Sequence, residues 1–190
     1  MKSPPLHRLR HQLLRITLYG AFAPKDGKAD FLILPYMDNQ CISLFLKEIS
    51  ERYPDEYILM FWDGAPCHSE GKLSIPPNIM LDTLPPYSPD LNPSENIWDD
   101  MRENFFHNIT FDSMKAVESV LEKAANFYEN NSSIVKSITG WEWILSSLWL
   151  RIGITHDFVS FLRLFWVYFI EVKFWLKTIS QIRNKLDNTD

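Results

Sequence analysis

The chain has few cysteines and no long uncharged apolar run. Cys41 and Cys67 are its only cysteines, and two thiols at this separation fit neither a disulfide framework nor a zinc site. Reduced thiols are typical of cytoplasmic proteins, so we expect a cytoplasmic location. No stretch reaches the ~18 uncharged apolar residues that span a bilayer, and no apolar segment of signal-peptide type follows the N-terminal charges. We therefore expect no membrane partner.

An excess of positive charge is also missing. The formal net charge is −5, which is unusual for a protein that handles DNA, because phosphate contacts need Lys and Arg. Residues 1–15 are an exception, since they carry Lys2, Arg8, Arg10 and Arg15 and no acidic residue. They form either a backbone-contacting arm or a solvated tail. An apolar content of 46% over 190 residues is typical of a globular domain with an appendage.

Two acidic residues lie at the end of a predicted strand and at the start of a predicted helix, where the backbone can orient a carboxylate. Asp63 follows the apolar run from Tyr57 to Trp62, which is typical of a buried strand. Glu95 ends the string PPYSPDLNPSE and lies on the first turn of a helix that Pro93 is suited to start. Mg²⁺ prefers oxygen ligands and keeps several waters, so one or two carboxylates with a substrate phosphate suffice to bind it. The pair is therefore a candidate metal site.

The strings FWDGAPCH and LPPYSPDLNPSENIW resemble the second and third acidic motifs of mariner-like transposases from bacterial insertion sequences, which belong to the DDE superfamily. The resemblance covers roughly Leu14 to Leu148. It implies an α/β fold similar to RNase H, a mixed sheet flanked by helices, with Mg²⁺ or Mn²⁺ ions that clamp the oxygens of an in-line phosphoryl displacement. It also implies Asp63 and Glu95 as catalytic metal ligands. His68 matches the family's histidine after the second acid, where it positions DNA phosphate or holds the loop.

The family's first acid has no counterpart in this sequence. It belongs on an opening strand upstream of Leu18, yet no acidic residue precedes Asp26. Asp26-Gly27 stands between two apolar runs and is typical of a hairpin turn, so we interpret Asp26 as a turn residue. We expect an N-terminally truncated transposase that lacks the opening strand. In the resembled fold that strand is central, between the hairpin and the strand before Asp63, so another segment must fill the gap, or the sheet closes up or folds poorly.

The rest of the pattern alternates strands and helices. Asn92 can cap the helix that carries Glu95 through its side-chain oxygen, which would set the direction of that carboxylate. We interpret Trp98 as core, and Asp99 and Asp100 as a solvated pair.

The predicted elements are strands over 13–22, 31–34, 57–62 and 79–84, a helix capped by Asp38 or Asn39 and ending near Tyr53, a helix from Pro93 to about Phe106, and helices near 112–128 and 132–145.

The end of the chain differs in kind. From Trp149 aromatic and aliphatic residues crowd the sequence, and charges interrupt them too often for a membrane span. We expect a helical tail that is either an accidental read-through product or an amphipathic helix that docks on a partner or membrane surface. The predicted organisation is a basic remnant over 1–12, a partial catalytic domain over 13–148 and the tail over 149–190.

These observations predict a fragment of a DNA transposase catalytic domain. Its partners would be DNA (transposon ends and target) and a second copy or an intact transposase, with no small-molecule substrate and a nucleoid association when bound. We expect little or no activity, because a site that lacks one of three ligands holds its metals poorly. One alternative is a non-catalytic binding module or pseudogene product that pairs with intact transposase. Another is a general RNase H-like nuclease whose third acid would be Asp38 or Asp82.

Overall fold

A computed structural model describes residues 16–62, 73–84, 92–111, 113–142 and 162–172. The described residues form a mixed α/β fold of five strands and four α-helices. The strands are β1 (Ile16–Ala23), β2 (Lys28–Leu34), β3 (Tyr57–Trp62), β4 (Ile79–Thr83) and β5 (Leu162–Val172). The helices are α1 (Asn39–Arg52), α2 (Ser94–Met101), which continues as a π-helical turn over Arg102–Phe106, α3 (Met114–Asn130) and α4 (Ser132–Thr139).

The first two strands form the predicted antiparallel hairpin, which runs from Thr17 opposite Leu34 to Ala23 opposite Lys28. The amides of Asp26 and Gly27 both donate to the carbonyl of Ala23, at 3.1 and 2.8 Å. Gly27 has a φ of 70°, and a Cβ there would lie 2.0 Å from the carbonyl oxygen of Ser132 in α4. Only glycine fits this turn, because it tolerates positive φ and leaves room for the helix. The hairpin and the place of Asp26 in its turn are confirmed.

Local signals also fix most of the other boundaries. Asp38 caps α1, since its Oδ1 accepts from the amide of Cys41 at 2.8 Å. The strand before Asp63 has the predicted bounds. The last predicted helix ends at Thr139 and not near 145, because Gly140 follows it and closes the final turn with a 2.8 Å hydrogen bond to the carbonyl of Lys136.

The five strands form one sheet in the order β2-β1-β5-β3-β4. β5 runs antiparallel to β1 and parallel to β3. Its first half pairs with β3 and its second half with β1, and Trp166 pairs with both, opposite Phe61 and Phe22. The gap that the sequence predicted between the hairpin and β3 is therefore filled by the chain's own C-terminal segment.

The predicted helical tail is wrong for Leu162–Val172, which form β5. This segment reads LRLFWVYFIEV, and aromatic and β-branched residues favour strands. Apolar residues at successive positions suit a central strand, because such a strand is covered on both faces. The unbroken apolar stretch from Leu164 to Ile170 is what a position in the middle of the sheet requires.

Helices cover both faces of the sheet, so the core has two parts. The α1 core contains residues of β1, α1, β3 and β4 together with Phe165 of β5, and the α3 core, on the opposite face, packs β1 and β2 against α2, α3 and α4. The α1 core comprises Tyr19, Ala21, Ala23, Ile42, Phe45, Leu46, Ile49, Ile58, Met60, Trp62, Ile79 and Phe165. The α3 core comprises Leu18, Phe22, Ala29, Phe31, Ile97, Met101, Val117, Leu121, Ala124, Ala125, Tyr128 and Val135.

A polar network covers the outer edge of β2. The buried Asp30 accepts from Arg52 Nη1 at 2.7 Å and from the hydroxyl of Tyr53 at 2.7 Å. Glu129 accepts from the amide of Phe31 at 3.0 Å and lies 3.6 Å from Arg52. Burial lowers the pKa of Arg52, but the two carboxylates outweigh it and leave that pKa above its ordinary value. The network therefore joins the edge strand to α1 and α3.

Across the described ranges, no helix is both long enough and apolar enough to cross a membrane.

Candidate functional site

The first predicted ligand follows a buried strand. In β3, Ile58, Met60 and Trp62 pack in the α1 core, so Leu59 and Phe61 belong to the face that carries α2, because side chains alternate along a strand. The described part of the strand ends at Trp62. Asp63 and His68 lie outside the described residues, and their roles as metal ligand and supporting histidine remain predictions. The approach of Asp63 to Glu95 is likewise a prediction.

The second predicted ligand, Glu95, lies on the first turn of α2 and is half-buried. The start of this helix is held by Asn92, which is 4% exposed. Its side-chain oxygen accepts from the amide of Ser94 at 3.3 Å, and its carbonyl accepts from the amide of Glu95 at 3.2 Å. The N-cap residue of α2 is Pro93, with a φ of −63°. The prediction that Asn92 caps the helix is therefore wrong by one residue, and Asn92 supports the helix start from the position before the cap. Because Asn92 is buried and binds both amides, it fixes where the Glu95 backbone leaves the loop.

The inner side of α2 packs on β1. Ser94, Ile97 and Met101 are buried, and the last two belong to the α3 core with Leu18 and Phe22 of β1. Trp98 is half-buried against the same core, as its interpretation as a core residue required. These contacts fix the rotation of the helix about its axis, which in turn limits the directions open to Glu95.

A hydrogen bond from α3 supplies a second constraint that the sequence did not reveal. Asp99 is exposed and pairs with Arg102 at 2.9 Å, but Asp100 is half-buried and accepts from the hydroxyl of Tyr128. Tyr128 is fully buried, and burial, followed by the bond to Asp100, raises the pKa of its hydroxyl well above the ordinary value. The predicted solvated pair is therefore wrong for Asp100. Its partner is far away in sequence, so no local pattern identifies it.

The acids considered for a general nuclease make local backbone contacts. Asp38 caps α1, and α1 packs on the opposite face of the sheet from α2. Asp82 in β4 accepts from the amide of Thr83 at 2.8 Å. Within the described parts of the chain, no group of three or more His, Cys, Asp or Glu residues is arranged to hold a metal ion. Those parts therefore contain Glu95 as one candidate ligand and do not contain a complete donor set.

The strand beside β3 also bears on the site. Between Leu162 and Ile170, β5 contains no Asp or Glu, and its single acid, Glu171, pairs in register with Thr17 near the start of β1. The register of β5 on β3 reaches Phe61 opposite Trp166. The segment of β5 around Trp166, beside the carboxyl end of β3, therefore consists of aromatic and aliphatic residues.

Comparisons with known proteins agree with the motifs. No solved structure matches the chain. The chain is 41% identical over 95 residues to a protein of Sinorhizobium fredii (strain NBRC 101917 / NGR234) named "Uncharacterized protein y4pE/y4sA", an alignment that covers 50% of this chain and 70% of that protein. The sequence model of the family described as "DDE superfamily endonuclease" matches residues 2–118, which is more than half of the chain.

Such endonucleases act on DNA and typically use divalent metal ions. The matched residues include both acidic motifs, the hairpin, α1 and α2. On this match, the chain belongs to the DDE superfamily endonuclease family.

Proposed function

We propose that the chain is the catalytic-domain part of a DNA transposase of the mariner-like type found in bacterial insertion sequences. Its intact relatives carry out metal-dependent phosphodiester hydrolysis and DNA strand transfer, and this chain has little or no cutting activity of its own. The observation that carries the second half of the proposal is the position of β5, a strand without an acid from Leu162 to Ile170, between β1 and β3.

The topology supports an RNase H-like sheet. That fold has a hairpin, then its opening strand in the middle, then a parallel pair of strands. Here β2 and β1 form the hairpin, β3 and β4 form the parallel pair, and β5 lies between them. β5 has the orientation that the opening strand requires, antiparallel to β1 and parallel to β3. A segment from the other end of the chain thus takes the opening strand's position.

Asp63 and Glu95 would hold the divalent ion. If the side-chain alternation of β3 continues past Trp62, Asp63 would face the side of the sheet that carries α2 and Glu95. A bound Mg²⁺ or Mn²⁺ ion would neutralise charge on the attacking and leaving oxygens. The chain's own contribution is orientation: Asn92 fixes the start of α2, Tyr128 ties its later turn to α3, and His68 would support the loop after Asp63 or a DNA phosphate.

The expected inactivity follows from counting along the register. Phe61 lies opposite Trp166. If this register continued beyond β3, Asp63 would lie level with Tyr168, the partner of Gly20 in β1. A tyrosine at this level supplies no carboxylate. On this proposal the chain would supply two of the three acids of a DDE site, and two carboxylates without the third hold metal ions poorly in the geometry that in-line displacement needs.

The test is a metal-dependent nicking assay on transposon-end DNA with Mg²⁺ and with Mn²⁺. We expect no cutting by the natural chain beyond that of an Asp63→Asn, Glu95→Gln control. We expect cutting to emerge in a Tyr168→Asp variant, because this change returns an acid to the level of residue 63. Robust cutting by the natural chain that Asp63→Asn abolishes would contradict the proposed inactivity.

Metal binding gives a readout that does not require activity. Mn²⁺ titrated into the natural chain should bind with an affinity that falls about tenfold or more in Glu95→Gln, while Glu103→Gln, on the exposed π-helical turn of the same helix, should leave it unchanged. Equal affinities in both variants would remove Glu95 from the site.

A folded chain of this family that lacks one catalytic acid would still present the surfaces that bind DNA or a second transposase chain. We therefore keep a non-catalytic role as the second candidate, in which the chain pairs with DNA or with intact transposase in the cytoplasm or on the nucleoid. Co-purification of a tagged chain with an intact relative supports this role, and recovery of the chain alone opposes it.

A further inference from the structure

The chain's sheet depends on a strand that arrives last. β1 and β2 are joined by a short turn, and β3 and β4 are near neighbours in sequence, whereas β5 is the final described element. It pairs with β1 from Ile16 opposite Val172 to Phe22 opposite Trp166, and with β3 from Tyr57 opposite Leu162 to Phe61 opposite Trp166. Without β5 the sheet is two separate two-stranded pieces, and such pairs are marginal in water.

A space between β1 and β3, which we call the β5 slot, is thus open in any state in which β5 has not yet docked. It is bounded by unpaired backbone donors and acceptors on two strands, and such edges readily pair with another chain. It also has an apolar anchor position, because Phe165 is fully buried in the α1 core with its ring 5.4 Å from that of Tyr53. The slot therefore accepts an extended segment of defined direction with an aromatic residue at one position.

The length of the connection allows this segment to come from either of two molecules. Residues 140–161 separate α4 from β5, and a connection of that length spans up to about 70 Å when extended. Because Phe22 and Trp166 are so far apart in sequence, β5 is expected to dock late in folding. Late intermediates with open strand edges at high concentration capture a neighbour's strand, which makes the same contacts as their own.

We infer that the β5 slot is an interaction site for a second copy of this chain, and that two copies exchange β5 strands when they fold together at high concentration. The exchanged dimer has the sheet of the monomer and no new interface. It persists because release requires the whole strand to leave β1 and β3. The inference depends on the fold and not on nuclease activity, so failure of the nicking assay leaves it standing.

The experiment uses full-length chains whose Cys41 and Cys67 are replaced by Ser. One carries Ala21→Cys in β1 and the other Val167→Cys in β5, positions that are register partners. Paired Cβ atoms on antiparallel strands lie about 4.5–5.5 Å apart, close enough for a disulfide after small adjustments. The two chains are unfolded, mixed and refolded together, both dilute and about a hundredfold more concentrated, and then oxidised.

We expect covalent heterodimers of twice the chain's 22.4 kDa, whose share rises with concentration. A mixture of the Ala21→Cys chain with a Lys47→Cys chain, whose cysteine lies on the exposed side of α1, measures random collisions. A single chain with both Ala21→Cys and Val167→Cys should form the bond internally when refolded dilute. No heterodimer above the collision control overturns exchange, and failure of the double variant to close internally overturns the slot itself.

Discussion

The two neighbours of β1 reach it in opposite ways. β2 follows after the turn around Gly27 and pairs immediately, whereas β5 comes from the far end of the chain and also joins β3. The first neighbour depends on turn chemistry and the second on the whole of the fold around it. The same contrast holds for α2, which has a local support at Asn92 and a distant one at Tyr128. Contacts between residues close in sequence can be inferred from the sequence. Contacts between distant residues, such as those of β5 and Tyr128, fix how the strands and helices are arranged in the fold.

The largest effect should come from the distant neighbour of β1. Phe165→Ala removes a fully buried ring from the α1 core and should lower the free energy of unfolding by about 3–5 kcal/mol. Urea titration followed by tryptophan fluorescence measures it. Met80→Ala, on β4 and 68% exposed, is the control and should change little. Equal losses in the two variants would mean that β5 does not close the α1 core.

The pairing of β1 with its local neighbour β2 should be nearly as sensitive to substitution, at the turn that joins the two strands. Gly27→Ala forces a non-glycine residue to positive φ and places a methyl group 2.0 Å from the carbonyl oxygen of Ser132. We expect a loss of about 2–4 kcal/mol from backbone strain and overlap together. Lys25→Ala in the same turn should be close to neutral. A Gly27→Ala chain as stable as the natural one would show that the turn does not pack on α4.

The distant support of α2 should matter less and should depend on pH. Tyr128→Phe leaves the half-buried Asp100 without its donor, which should cost about 1–3 kcal/mol at neutral pH. The hydroxyl has a raised pKa in the folded chain, so its contribution is complete below the ordinary tyrosine pKa of about 10 and is lost as pH rises further. The natural chain should therefore lose stability above that pH more steeply than Tyr128→Phe does.

Urea titrations across the alkaline range measure this difference. Tyr57→Phe, at a position 68% exposed, is the matched control and should track the natural chain. Parallel curves for the natural chain and Tyr128→Phe would mean that this hydroxyl titrates normally, against the contact with Asp100.

The smallest effect should come from the local support of α2. Asn92→Ala removes the side-chain acceptor for the amide of Ser94 and should cost about 1 kcal/mol, the net worth of one hydrogen bond. Asn126→Ala on the exposed side of α3 should be neutral or slightly stabilising, because alanine favours helix. If Glu95 binds metal, Asn92→Ala should also weaken Mn²⁺ binding, while Asn126→Ala should not. Stability and metal affinity that are both unchanged would remove Asn92 from the supports of α2.

Prediction from sequence succeeded where the signal and its partner were close together. The turn at Asp26-Gly27, the cap at Asp38 and the helix start at Pro93 each depend on a few adjacent residues. Prediction failed for β5, because an apolar segment is a strand or a helix according to what surrounds it, and its surroundings are β1 and β3. It failed for Asp100 for the same reason, since its partner is in another helix.

For the candidate site, the structure bears on the elements next to the two acids, and the approach of Asp63 to Glu95 remains a prediction. Glu95 lies on the first turn of a helix, as predicted, and the buried strand that precedes Asp63 has the predicted bounds. The position of β5 beside that strand could not be foreseen, because the resembled fold uses a segment from the other end of the chain there. The sequence predicted that the central strand of the resembled fold would need a substitute, but it did not identify β5 as that strand.

Amide hydrogen exchange on the full chain tests the central claim, that residues 162–172 form the middle of the sheet, most directly. Trp166 pairs with strands on both sides, so we expect its amide and those of its neighbours to be protected as strongly as that of Met60 in β3, close to the global free energy of unfolding. Exchange of these amides at the rate of an unstructured peptide, while β1 and β3 stay protected, would contradict it.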